Sequence, residues 1–149
     1  MKIYLAASFA FAEHNIATER KNIIAEAASI LRKQGYEVFV PQEHKIPGGE
    51  SMSNYEWGLA VQQMDKQALE SSDWVVVLTF GKTGNNAGVA WEAGYAYGLG
   101  KNILIVKMND TVESMMMWFN CIARIKGLDK LKSFNFENPE YEFLNIEVS

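Results

Sequence analysis

The chain has 149 residues, 48% of them hydrophobic and 21% charged, with a net charge of −4. That length fits one domain over residues 1–149 and suffices for a core without metals or disulfides, and the apolar content excludes intrinsic disorder. No run approaches the ~20 apolar residues of a membrane span, and the acidic balance argues against nucleic acid, which is bound by neutralising phosphates.

In chain order, Lys2 is followed by an apolar stretch, which reads either as part of a short signal peptide or, over residues 2–7, as a buried first strand; the rest of the pattern supports the strand. Over residues 17–34, Ile23, Ile24, Ala27, Ala28 and Leu31 recur at helical spacing, and Gly35 suits the position after a helix end. Residues 36–40 predict a second strand, stopped by Pro41. A loop with Pro47, Gly48 and Gly49 leads to a helix over 53–71. Asp73 reads as structural, and residues 74–79 form the apolar, β-branched run of a central parallel strand. The loop 81–86 precedes a helix over 87–99, ended by Gly100. Residues 102–106 predict a fourth strand, 112–119 a short helix and 122–125 a fifth strand. The tail, 132–149, alternates aromatics without a clear period. Strands separated by helices imply an α/β fold, a parallel sheet with helices on both faces and right-handed crossovers. Ligands of such sheets lie beyond the carboxyl ends of the strands, so the loops after Ala7, Val40, Thr79 and Val106 are expected to line the site.

Cys121 is the single cysteine, which forbids an intrachain disulfide and suits a reducing cytoplasm. With only His14 and His44, a His-rich metal site is not expected. Gly81-Lys82-Thr83 has the ending of a phosphate-binding P-loop, but the position of its first glycine is Val76. Gly94, Gly98 and Gly100 lack dinucleotide-fingerprint spacing and follow the third strand rather than the first.

The most informative run is 83–100, TGNNAGVAWEAGYAYGLG, whose one charged residue is Glu92. Small neighbours at 90, 93, 94 and 96 let this helix pack closely on the sheet. Glu92 is then either on the one solvated edge of a buried helix or a carboxylate held at the mouth of the sheet for chemistry, since burying it unpaired is costly. Asp65 reads as a solvated helix residue when taken alone.

The segments Lys2-Ile3-Tyr4-Leu5-Ala6-Ala7-Ser8-Phe9 and Gly88-Val89-Ala90-Trp91-Glu92-Ala93-Gly94-Tyr95-Ala96 resemble nucleoside 2-deoxyribosyltransferases, whose pattern at the second is close to G-T-A-W-E-x-G-Y-A. So do Pro41-Gln42-Glu43-His44, Tyr55-Glu56-Trp57, the spacing from Asp65 to Ser72-Asp73, and Phe134-Asn135-Phe136-Glu137-Asn138-Pro139. The resemblance implies a flavodoxin-like fold and transfer of 2-deoxyribose between nucleobases, with no metal or cofactor. It gives Glu92 as nucleophile, Tyr4 as its hydrogen-bonding tyrosine and Asp65 as an acid near the sugar. A carboxylate below the ring stabilises an oxocarbenium-like transition state and then forms a glycosyl ester, which a second base attacks with overall retention. Phe9, Phe11 and Trp57 are candidates to stack on a base, with core packing as the alternative for each. Ser8, after the first strand, is a further candidate ligand contact.

Two features depart from the family or need a second chain. Its transferases carry an Asp six residues before the nucleophile; this sequence has Asn86, which cannot supply a proton to the departing base. The family also completes its site with a segment of a neighbouring subunit, for which Asn120, or else Ser114, is the candidate. Met115, Met116, Met117 and Trp118 are expected at that homo-oligomeric interface, together with the aromatic tail. Two rival readings remain: a nucleoside or nucleoside 5′-monophosphate N-glycosidase, with Asn85, Asn86 and Gly88 near a phosphate, and a non-catalytic nucleotide-binding module.

Overall fold

Period-two alternation in the first strand, β1 (Lys2–Ala7), divides the interior into two cores. Ile3, Leu5 and Ala7 face one, and Tyr4 and Ala6 face the other. The computed structural model describes residues 1–8, 14–81, 87–110 and 114–139, with the side chains of His14 and Asn15 excluded. Helix α1 (His14–Lys33) follows, then β2 (Glu37–Phe39), two 3-10 turns (Pro41–Glu43 and Gly49–Ser51) and α2 (Asn54–Ser71). Next come β3 (Trp74–Thr79), α3 (Ala87–Gly98), β4 (Asn102–Lys107), α4 (Met115–Trp118), β5 (Ala123–Lys126) and α5 (Gly127–Ser133).

The five strands are all parallel, in the order β2-β1-β3-β4-β5. This is the expected α/β architecture with the flavodoxin-like strand order. One core packs α1 and α5 on the sheet through Ala27, Leu31 and Leu131; the other packs α2, α3 and α4 through Leu69, Ala93 and Trp118. Helices therefore cover both faces. β3 is buried at every position, which accounts for its unbroken apolar run. Asp73 is structural, its Oδ2 accepting the Lys2 backbone N–H at 2.8 Å.

Several boundaries differ from the sequence reading. α1 starts three residues earlier than residue 17, because the apolar period begins only at Ile23. β2 is shorter than 36–40: it pairs with β1 alone, and Val40 already leads into the turn that Pro41 starts. α5 was not expected. The aromatic tail is also not spent on a neighbour as far as Phe136. That residue is 2% exposed and meets Trp74 edge-on at 5.1 Å, with Phe134 at 5.8 Å from the same indole. Met117 and Trp118 likewise belong to this chain's own core, leaving Met115 and Met116 exposed.

Candidate active site

In this strand order β2 lies on one side of β1 and β3 on the other, so a crevice opens beyond the carboxyl ends of the strands. The loop after β2 and helices α2 and α3 enclose a cleft of about 600 Å³ there, within the usual range for small-molecule sites.

The wall from α2 follows from helix geometry. Trp57, Val61, Met64 and Asp65 stand at i, i+4, i+7 and i+8, on one face, and all four border the cleft. A capping box fixes where this helix begins: the Glu56 N–H donates to Ser53 Oγ at 3.2 Å and the Ser53 N–H to Glu56 Oε2 at 2.8 Å. Gly49 supports Trp57 from the loop side. A Cβ there would stand 3.2 Å from the indole Cδ1, so any larger residue presses on the ring.

On α3, Val89, Ala93 and Ala96 form the buried face. Glu92 sits beside that face, so the residue is only part-buried while its Oε2 is shut off from solvent. The hydroxyl of Tyr4, rising from the floor of the sheet, and Asp65 Oδ1 are shut off as well. None of these three atoms has a hydrogen-bond partner of ordinary geometry among the described residues, yet all lie within electrostatic reach of one another. Burial pushes the Glu92 carboxyl up to about 8, the charge on Asp65 adds to the rise, and the Tyr4 hydroxyl opposes it. Burial pushes Asp65 up to about 6, again opposed by Tyr4. The Tyr4 phenol is raised far above its ordinary range by burial and by both carboxylates, so it remains a donor. Three neighbouring, unsatisfied polar atoms beside a cleft whose α2 wall carries Trp57, Val61 and Met64 suit a ligand with both hydroxyls and an apolar face, such as a nucleoside.

A match to the nucleoside 2-deoxyribosyltransferase family model covers residues 3–135. The chain belongs to that family. Among solved structures, it is similar to a 2-deoxyribosyltransferase from the psychrotolerant bacterium Bacillus psychrosaccharolyticus: 26% identity, 97% of this chain and 100% of that one, TM-score 0.81. It also shares its fold with a CMP N-glycosidase from Clostridium botulinum, at 16% identity, 88% of this chain and 98% of that one, TM-score 0.61. No curated protein sequence matches.

Of the family-derived candidates, Glu92, Asp65 and Trp57 border the cleft, with Tyr4 beneath the acids. Trp57 is 50% exposed and so free to cover a planar ligand. Ser8 does not border the cleft; it is buried at the end of β1, where its carbonyl accepts from Arg20 Nη1 at 3.3 Å. Gly88 is exposed in the first turn of α3 and does not border the cleft either. Asn120 follows α4, away from this cleft, where its N–H donates to the Met117 carbonyl at 3.3 Å. Phe9, Phe11 and Asn86 lie outside the described residues.

The loop after β2, expected to line the site, does so through residues that the sequence reading did not single out as ligand contacts. Pro41, Gln42 and His44 border the cleft. Gln42 Nε2 donates to the Ala7 carbonyl at 2.8 Å, tying this loop to the end of β1. The signal was present in the family-like Pro41–His44 stretch just past a strand end.

Proposed function

We propose that this protein transfers a 2-deoxyribosyl group from a deoxynucleoside to a free nucleobase by a retaining double displacement. The convergence of Glu92, Asp65 and Tyr4 at the cleft carries this reading. Glu92 Oε attacks C1′ of the sugar as the C1′–N bond breaks, and the bonding pair leaves with the base. The resulting glycosyl ester is then attacked by a ring nitrogen of the second base, which frees Glu92. The nucleophile must be ionised, and burial opposes that. The Tyr4 hydroxyl, donating toward the carboxylates, and the sugar hydroxyls together favour the charged form. Trp57 stacks on the base. Asn86 contacts the base, and Phe9 and Phe11 serve as further stacking surfaces.

The site is completed in a homo-oligomer, in which Asn120 reaches a neighbouring subunit's cleft beside the exposed Met115, Met116 and Phe119. The partners are small molecules, not nucleic acid or membrane; among the described residues no helix is long and apolar enough to cross a membrane. A cytoplasmic setting suits the single cysteine. No step calls for a metal or cofactor.

One residue favours a second reading, N-glycoside hydrolysis: Asn86 stands where the transferases carry an acid. Incubation with a deoxynucleoside and a different free base, followed by chromatography, separates the two. A new deoxynucleoside supports transfer, whereas free base and deoxyribose alone would establish hydrolysis instead. Glu92→Ala is expected to abolish either reaction with the fold intact, and retained turnover would remove Glu92 as nucleophile.

A further inference from the structure

Resting on that reading, we propose that His44 is the acid that protonates the departing nucleobase and the base that deprotonates the incoming one. The reaction needs such a group, because a nucleobase that leaves without a proton leaves as a poor anion. Position 86 holds an amide, which cannot supply the proton. Asp65 stands with Glu92 around the Tyr4 hydroxyl, on the side of the nucleophile. In a displacement the leaving base lies opposite the nucleophile, so its proton donor must come from another wall.

His44 is on that other wall. It borders the same cleft as Glu92 and Trp57, but from the loop after β2. Its imidazole is stacked on Phe39, with centroids 4.3 Å apart and planes 10° from parallel, and Phe39 is stacked on Tyr4 at 5.4 Å. Two ring spacings therefore separate His44 from the tyrosine beneath the acids. The backbone carrying it is held at three further points. Gln42 bonds to the Ala7 carbonyl. Arg32 grips Glu43 with both terminal guanidinium nitrogens, at 3.0 and 2.6 Å. The His44 N–H donates to the Pro41 carbonyl at 3.2 Å. A loop residue anchored this way is positioned rather than merely present.

The charged groups around it are Glu43 and Lys45 in its own loop, Glu50 in the next turn, and Asp65 and Glu92 across the cleft. Imidazole is the side chain whose ordinary pKa lets it both give and take a proton near neutral pH. In the first half-reaction the His44 imidazolium gives its proton to a ring nitrogen of the base as the C1′–N pair departs. The now neutral imidazole takes a proton from the second base as that base attacks C1′. The histidine is returned unchanged, and no other reagent is consumed.

The test compares two donors, the best natural deoxynucleoside of a panel and 4-nitrophenyl 2-deoxyribofuranoside, whose aglycone leaves as a stable anion without a proton. For His44→Gln, kcat/KM on the nucleoside is expected to fall about 10²–10⁴-fold and on the nitrophenyl donor to stay unchanged. Glu92→Gln is expected to lower both. Added imidazole should restore part of the nucleoside rate to His44→Ala, and circular dichroism should show both His44 variants folded, since the residue is exposed. The proposal is overturned if His44→Gln lowers both donors equally, or neither. Wild-type turnover of the nitrophenyl donor alone would also overturn it, while leaving Glu92 chemistry standing. A wild-type protein inert toward every donor would instead remove the glycosyl-transfer reading itself.

Discussion

Glu92 and Asp65 are acids placed where burial resists their ionisation, and the fold bears the consequence. In the unfolded chain both ionise near pH ~4. Folded, Glu92 keeps its proton to about 8 and Asp65 to about 6. Between those limits the native state binds more protons than the unfolded state, so stability falls as pH rises. The contribution of these two acids is whole below the unfolded pKa values and fully lost above about 8. A protein selected for stability alone would carry amides here. Glu92→Gln and Asp65→Asn are therefore expected to melt higher than the parent at alkaline pH, by roughly 2–8 °C, and to converge with it near pH ~4. Thermal melts across that range decide the matter: a Glu92→Gln variant with the parent's full pH slope would show that the carboxyl is not held protonated by the fold.

Among the elements, what was legible depended on length and period. The Glu92 helix announced itself because one acid stood in a run of small and apolar residues, and α3 buries the face that run predicts. The cleft face of α2 could have been read from the spacing of Trp57, Val61, Met64 and Asp65, yet Asp65 taken alone looks like any solvated helix acid. Burial against Tyr4 is a tertiary fact with no local signature. α5 escaped for a related reason. It is seven residues long, starts on Gly127 at φ +79°, and buries only Leu131 fully, too little for a period to emerge. The aromatics after it looked like interface but close the core under Trp74. Phe136→Ala is accordingly expected to cost about 3–5 kcal/mol, as emptying a buried aromatic site does. Denaturant unfolding measures this directly, and a loss below ~1 kcal/mol would place Phe136 outside the core in solution.

For the whole molecule, the short fifth strand and the four-residue α4 set the question of how so small a chain encloses its substrate. The described residues that border the cleft come from α2, α3 and the loop after β2. A neighbour's α4 is a candidate for a further wall. Met117 and Trp118 root it in the core, while Met116 at 76% and Phe119 at 71% exposure project outward beside Asn120. Adaptable Met and aromatic side chains are enriched where subunits meet, and a cluster of them exposed together is the feature such a surface requires. If a neighbour's α4 closes each cleft, assembly and activity must fall together. Met116→Glu with Phe119→Glu places charge on this projecting surface without touching Met117 or Trp118, so the protomer should fold. Sedimentation should then shift toward the 16.8 kDa monomer, with a rise in KM and recovery of activity as protein concentration increases. Full activity in a monomeric variant would show that one chain encloses its substrate alone, and Asn120 would lose its place in the site.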